Sequence, residues 1–360
     1  MMALIAAGCA TTYEGPTTLR EAQQPAWSLN LQSQEMKVAV SPAGRTLRVA
    51  GSAGLIVGTL VDANVNSTHA RRIQEALGDF DTSAYLRERI EAALTDHLAQ
   101  QIEQVQPFTG AAGYAHIRDA RKAHRRQLAR DGHDLLLQLE SVYGVFGAQG
   151  AMIVKIQGDL EALPSGRTLW EDSIIAASGP ILASDELGNP TSRLAPDISG
   201  GLTVDEEAMN RWTANEGALL RKRYTSAAEG AAAALVVSLG LAEEPLGRYY
   251  LGRDALLRKK YDEAQRHFEA ALQRLPEDPA ILNAHAATAA RQGDISTAIE
   301  STRTLVERFP EYGPAWFNLA WWQAVERENV EEARSHYRKA LAYGVRPNEK
   351  LDELLNPDGS

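Results

Sequence analysis

The chain has 360 residues, 44% of them hydrophobic and 23% charged, with a net charge of −10. That length exceeds one small core and predicts two or three domains, in the composition range of soluble globular proteins. The negative balance argues against a nucleic-acid partner, whose binding is driven by Lys and Arg neutralising phosphates, and the single cysteine excludes an internal disulfide or a multi-cysteine metal site.

Residues 1–10 read MMALIAAGCA, an apolar stretch that ends in small residues before Cys9 and is followed by the polar Thr11 and Thr12. No apolar run reaches the roughly 18–20 residues of a membrane-spanning helix. The run Ala6-Ala7-Gly8-Cys9 resembles the lipobox of bacterial lipoproteins, an aliphatic residue and two small residues before Cys. Ala6 stands where Leu is usual, no Lys or Arg precedes Cys9, and the apolar stretch is short. The resemblance therefore implies that residues 1–8 are part of a signal peptide. It also implies cleavage before Cys9 and a diacylglycerol on its sulfur, each buried CH₂ contributing about 0.8 kcal/mol to anchoring. Ala10 lacks the Asp that holds enterobacterial lipoproteins at the inner membrane, so the implied location is the outer membrane facing the periplasm. Residues 9–35, polar and rich in turn formers, are expected to be the lipid anchor and a tether.

Residues 36–243 are expected to form an α+β or α/β domain. Lys37–Val40 and Thr46–Ala50 suggest short strands, followed by a helix ending near Leu77. Asp81 and Thr82 supply an N-cap for a second helix, in which Leu86, Ile90 and Leu94 recur at helical spacing. A basic helix, roughly Ala115–Arg130, is expected to be a solvated face. Leu135–Leu139 opens a strand that runs on through Val145. In residues 153–162, Val154, Ile156, Leu160 and Ala162 alternate with Lys155, Gln157, Asp159 and Glu161, which predicts a sheet with one buried and one wet face. After the turn Pro164-Ser165-Gly166, Thr168–Ala176 returns as its partner. Residues 179–204 suggest a long loop, and Asp205–Leu241 a long helix with an alanine-rich end against the sheet. The hairpin wording and the closing helix resemble periplasmic lipoproteins whose α/β domain is of the curli-secretion or TolB N-terminal type.

Motifs for chemistry do not assemble. Gly51, Gly54 and Gly58 lack the GxGxxG spacing and no GK[ST] follows, so close packing explains them better than a nucleotide. Asp159, Glu161, Glu171 and Asp172 lie on paired strands, but the first two belong to the predicted wet face. The eight histidines are scattered, with no HExxH, and no GxSxG elbow occurs. No cofactor, metal or catalytic residue is expected.

From residue 244 the sequence repeats every 34 residues, at Pro245, Pro279 and Gly313. Small residues recur at Gly252, Ala264, Ala286, Ala298 and Ala320, with Phe268 as the aromatic and Pro276 and Pro310 at the ends. These residues resemble three tetratricopeptide (TPR) repeats over residues 244–347. Repeat two departs at Thr302, where an aromatic is usual, and at Leu305. In repeat three Ala333, Tyr337 and Ala340 fall one place late, read as an extra residue in the turn between its two helices. Residues 348–360 suit a capping helix and tail. The resemblance implies an all-α solenoid with a concave partner-binding face, whose positions map to Tyr249, Arg253, Asn283, Ala287, Phe317 and Trp321. A carboxylate clamp is not evident, since Asn283 and Asn318 lack the lysines.

The resulting expectation is a membrane-anchored periplasmic TPR scaffold, binding a protein or peptide partner in envelope assembly or secretion. A cell-wall hydrolase or regulator of cell-wall synthesis acting through the α/β domain, and a cytosolic TPR adaptor, are the alternatives.

Overall fold

A computed structural model describes residues 19–31, 35–38, 68–98, 101–108, 114–146, 150–184, 204, 206–326 and 329–356. Cys9, the strand expected at Thr46–Ala50, the three glycines at 51, 54 and 58, and residues 185–203 of the expected loop lie outside these. Among the described residues, no helix is long and apolar enough to cross a membrane. An N-terminal α/β region with a mixed sheet is followed by a run of paired helices.

The first strand, β1, spans Pro25–Leu31, at the end of the stretch expected to be tether. Leu19 and Ala22 before it are also in the core. The local cue was the alternation of Trp27, Leu29 and Leu31, short enough to be outweighed by the polar sequence around it. The sheet continues with β2 (Lys37–Val38), β3 (Glu103–Gln104), β4 (Leu135–Phe146), β5 (Ala151–Ala162) and β6 (Arg167–Ala177), in the order β3-β1-β4-β5-β6. β1 runs parallel to β3 and β4, β2 is parallel to the far end of β4, and β4, β5 and β6 form an antiparallel meander.

One face of the sheet is covered by helices. α1 occupies residues 68–77, and α2 spans Thr82–His97, capped by the Asp81 side chain on Ala84 N. The basic helix α3 is Tyr114–Arg130 and packs on the other face. The long helix α4, Glu206–Ser238, is not continuous: Asn215, Glu216 and Gly217 take left-handed φ values of 49°, 54° and 71°. A side chain at Gly217 would stand 2.6 Å from the Ala76 carbonyl oxygen, so the bend needs glycine where α1 crosses. Beyond the bend, Ala227, Ala228, Ala231 and Ala234 are fully buried in the sheet's main core.

The helical run comprises α5 (Pro245–Leu257), α6 (Tyr261–Leu272), α7 (Pro279–Arg291), α8 (Ile295–Arg308), α9 (Gly313–Glu326), α10 (Val330–Ala342) and α11 (Glu349–Leu355). Leu351 and Leu355 of α11 close the end of its core, as a solenoid cap must. α5 belongs to both regions. Its Tyr250 lies in the sheet region's core, over Gly230, and a side chain at Gly247 would meet the Ala233 carbonyl oxygen at 2.4 Å. The boundary expected near residue 243 therefore crosses continuous packing.

Candidate functional site

The first helices of the three pairs, α5, α7 and α9, line one common surface, and the chain's own segment after β6 lies on it. Ser178 N donates the last sheet bond, to Met152 O at 3.0 Å. Gly179 then takes φ +120°, a conformation that side chains rarely adopt, and turns the chain out of the sheet. From there each pair contributes a contact. Arg253 Nη1 on α5 donates to Gly179 O at 2.6 Å. Asn283 Nδ2 on α7 and Asn318 Nδ2 on α9 both donate to Ile181 O, at 2.9 and 3.1 Å. Ala183 N donates to Asn318 Oδ1 at 2.7 Å.

The two asparagines form a closed unit. Asn318 Nδ2 also donates to Asn283 Oδ1 at 2.9 Å, and both residues are fully buried. A primary amide carries a donor and an acceptor on one flat group, and can therefore grip a peptide's carbonyl and the N–H two residues on. Buried in low dielectric, such bonds are strong, and leaving them unmade is costly. The Ile181 side chain enters the apolar core of the array, with Leu182 and Ala183 packed beside it, while Pro180 faces solvent. At the α5 end, the Arg253 guanidinium lies over the Tyr249 and Tyr250 rings, 5.4 and 5.8 Å from their centroids. Arg223 on α4 is close enough that burial and then repulsion from Arg253 lower its pKa. This end of the surface is positive and aromatic.

The sequence-predicted positions fall in three groups. Tyr249, whose hydroxyl accepts from Arg253 at 2.9 Å, Arg253 and Asn283 lie at the segment. Ala287 is buried in the array's packing. Phe317 is fully buried, edge-on to Tyr337 at 6.1 Å, and the half-buried Trp321 stacks on it at 6.2 Å. The bonds from α9 to the segment come instead from Asn318, which takes the place in α9 that Asn283 takes in α7. The signal for this was in the spacing. Counted from Pro314, repeat three has Asn318 at position 5 and Ala333, Tyr337 and Ala340 at 20, 24 and 27, all in register. The extra residue thus precedes the repeat instead of sitting in its inner turn. Trp316 is held in the packing, donating to Pro310 O at 2.7 Å with Lys339 Nζ 4.0 Å above its ring.

Residues 255–321 match the tetratricopeptide repeat family. The matched stretch runs from within α5 to within α9, so the paired helices are those of a TPR solenoid and the shared surface is its groove. TPR folds are scaffolds for protein–protein interaction. Comparison with curated proteins gives no match.

The sheet face predicted to be wet is instead largely covered. Lys155 and Glu161 are each 4% exposed. At one end α3 lies across it: Arg125 forms an ion pair with Glu161, Nε to Oε2 at 2.6 Å, while Leu128 packs on Ala26 and Leu136. Arg121, Lys122, Arg126 and Arg130 of that helix face solvent. At the other end α5 covers it. Leu257 packs on Val142, Phe146, Ile153 and Ile175, Asp254 Oδ1 accepts from Ile175 N at 2.9 Å, and Arg258 donates to Ser173 O at 2.6 Å. Alternation predicted a polar face correctly, but polar side chains pair with a second layer as readily as with water. Between the two covers lies Asp159. Burial, reinforced by the Glu161 charge, raises its carboxyl to about 6, and Gln138 Nε2 donates to it at 3.1 Å. Among the described residues no group of three His, Cys, Asp or Glu side chains is placed to hold a metal.

Proposed function

We propose that this chain is a membrane-anchored periplasmic scaffold whose TPR groove holds a segment of a protein partner, in envelope assembly or secretion, without catalysing a reaction itself. The observation that carries the groove reading is the buried Asn283–Asn318 pair, which grips two backbone groups of an extended segment. Backbone recognition gives affinity for any extended chain, and the apolar slot that takes Ile181 adds selectivity. The anchor rests on the lipobox-like run Ala6 to Cys9. The chain expressed behind a bacterial lipoprotein signal peptide and labelled with palmitate should incorporate label, and Cys9→Ser should not; equal labelling of the two removes the anchor. Crosslinking from membranes should recover a partner with the wild type, joined through residues that line the Asn283–Asn318 surface; a partner crosslinked only elsewhere removes the groove reading.

A second reading, an enzymatic α/β region, has Asp159 on its side. A carboxyl at about 6 suits proton transfer near neutrality. Glu161, the carboxylate whose charge acts on it most strongly, is held by Arg125. Cell-wall hydrolysis by the purified chain that vanishes in Asp159→Asn would support this reading, and no turnover by the wild type removes it.

A further inference from the structure

We infer that Gly179–Ala183 is an internal stand-in for the partner, and that the TPR groove is kept closed until an extended segment of like chemistry displaces it. That partner segment carries an aliphatic side chain at the place of Ile181, a small residue two positions on, and a free backbone N–H there. This inference rests on the scaffold reading and adds what the groove binds and how access to it is controlled.

The contacts are those of a ligand. The groove reads the segment mainly through its main chain: the carbonyls of Gly179 and Ile181 and the N–H of Ala183. The one side chain buried deeply is Ile181, and Pro180 between the contacts faces solvent. Another chain with an aliphatic residue at that place makes the same bonds. Emptying the groove would strip the buried asparagines of these partners, whereas exchange restores them, so replacement is favoured over opening. The segment follows β6 directly through the turn at Gly179, and the sheet ladder ends one residue earlier at Ser178. It can therefore leave the groove without breaking a strand. Its short connection gives it an effective concentration in the millimolar range. A free peptide of ordinary affinity is then excluded, and only a partner that binds more tightly, or one brought to the same membrane, gains entry.

The test uses the full chain and a fluorescent peptide, Ala-Ser-Gly-Pro-Ile-Leu-Ala-Ser, copied from residues 177–184. Wild type should bind it only weakly. Ile181→Asp places a carboxylate where the apolar slot rejects it, opens the groove, and should tighten peptide binding about tenfold or more. Asn318→Ala added to Ile181→Asp should abolish that gain, and a peptide with Asp in place of its Ile should not bind. An Ile181→Asp chain with unchanged circular dichroism and no gain in binding overturns the inference, as does a gain that survives Asn318→Ala. Should Ile181→Asp fail to fold, hydrogen exchange in the wild type decides. Exchange of the Ala183 amide faster than that of the α7 interior supports a displaceable segment, and exchange only with global unfolding overturns it. Recovery of a membrane partner that is insensitive to Ile181→Asp sinks the inference while leaving the scaffold standing. Peptide binding without any membrane partner does the reverse.

Discussion

The sheet region closes on large side chains brought together from distant parts of the chain: Trp27, Tyr143 and Tyr224 are among its largest fully buried residues. The TPR array closes on alanine, with Ala264, Ala298 and Ala333 fully buried at the same place in successive repeats. Phe268 and Tyr337 fill the space beside two of them, and Thr302 stands at that place in the repeat between. In the array, helices approach because the residue between them is small, so each contact repeats at a fixed spacing. In the sheet region, contacts are fixed by which strands pair, and neighbouring contacts have little in common. α5 belongs to both, presenting Tyr250 to one core and Ala255 and Leu256 to the other.

That double membership gives the largest expected effect. Tyr250→Ala should cost about 3–5 kcal/mol, as removal of a large buried aromatic does. Its hydroxyl bond to Ser226 O, 3.0 Å, is lost as well. With α5 holding the regions together, urea unfolding of the wild type should be a single transition by helical circular dichroism and tryptophan fluorescence. Two separated transitions in the wild type would show that the regions fold independently and that the shared core is a minor contact.

What the sequence disclosed follows the same division. The array was legible to within one residue because its packing is periodic, and the slip at Pro314 moved the two groove positions of repeat three from Phe317 and Trp321 to Asn318 and Trp322. The β4–β6 meander was legible from alternation and turn residues. β1 was not, because Trp27, Leu29 and Leu31 give too short an alternation among polar neighbours to stand apart from a tether. The cover on the second sheet face was invisible because Arg125 with Glu161, and Asp254 with Arg258, bury charge by pairing, and composition does not distinguish a paired carboxylate from a solvated one. The occupation of the groove by Ile181 was equally hidden, since Gly179 and Pro180 mark a loop without saying where it lies.

A smaller effect, of opposite sign, sharpens the contrast within the array. Thr302 is fully buried where its neighbouring repeats carry Phe268 and Tyr337, and its hydroxyl has no hydrogen-bond partner among the described residues. Thr302→Val keeps the shape and removes a stranded polar group, so it should stabilise the chain by about 1 kcal/mol. A loss of stability in the same urea titration would mean that the hydroxyl is bonded.

An effect of similar size belongs to the sheet's covered face, and depends on pH. Asp159 has an ordinary pKa of 3.8 in the unfolded chain and about 6 in the folded one, raised first by burial and then by Glu161. The folded state therefore holds this proton more tightly than the unfolded state. Its contribution to stability is fully present below about pH 4 and is lost as the pH rises through 6, because the ionised carboxylate must then remain half-buried beside another negative charge. Asp159→Asn keeps the hydrogen-bonding shape and has nothing to ionise. The variant should be more stable than wild type at pH 8 by about 1–2 kcal/mol, after allowing for the partial exposure of the site, with the advantage shrinking towards pH 4. The control is Glu161→Gln, which removes the neighbouring charge that raises Asp159 but also strands Arg125, and so should destabilise the chain throughout this range. If the stability of Asp159→Asn instead parallels that of wild type from pH 4 to 8, Asp159 titrates normally, and the gap between α3 and α5 is open enough for water to solvate it.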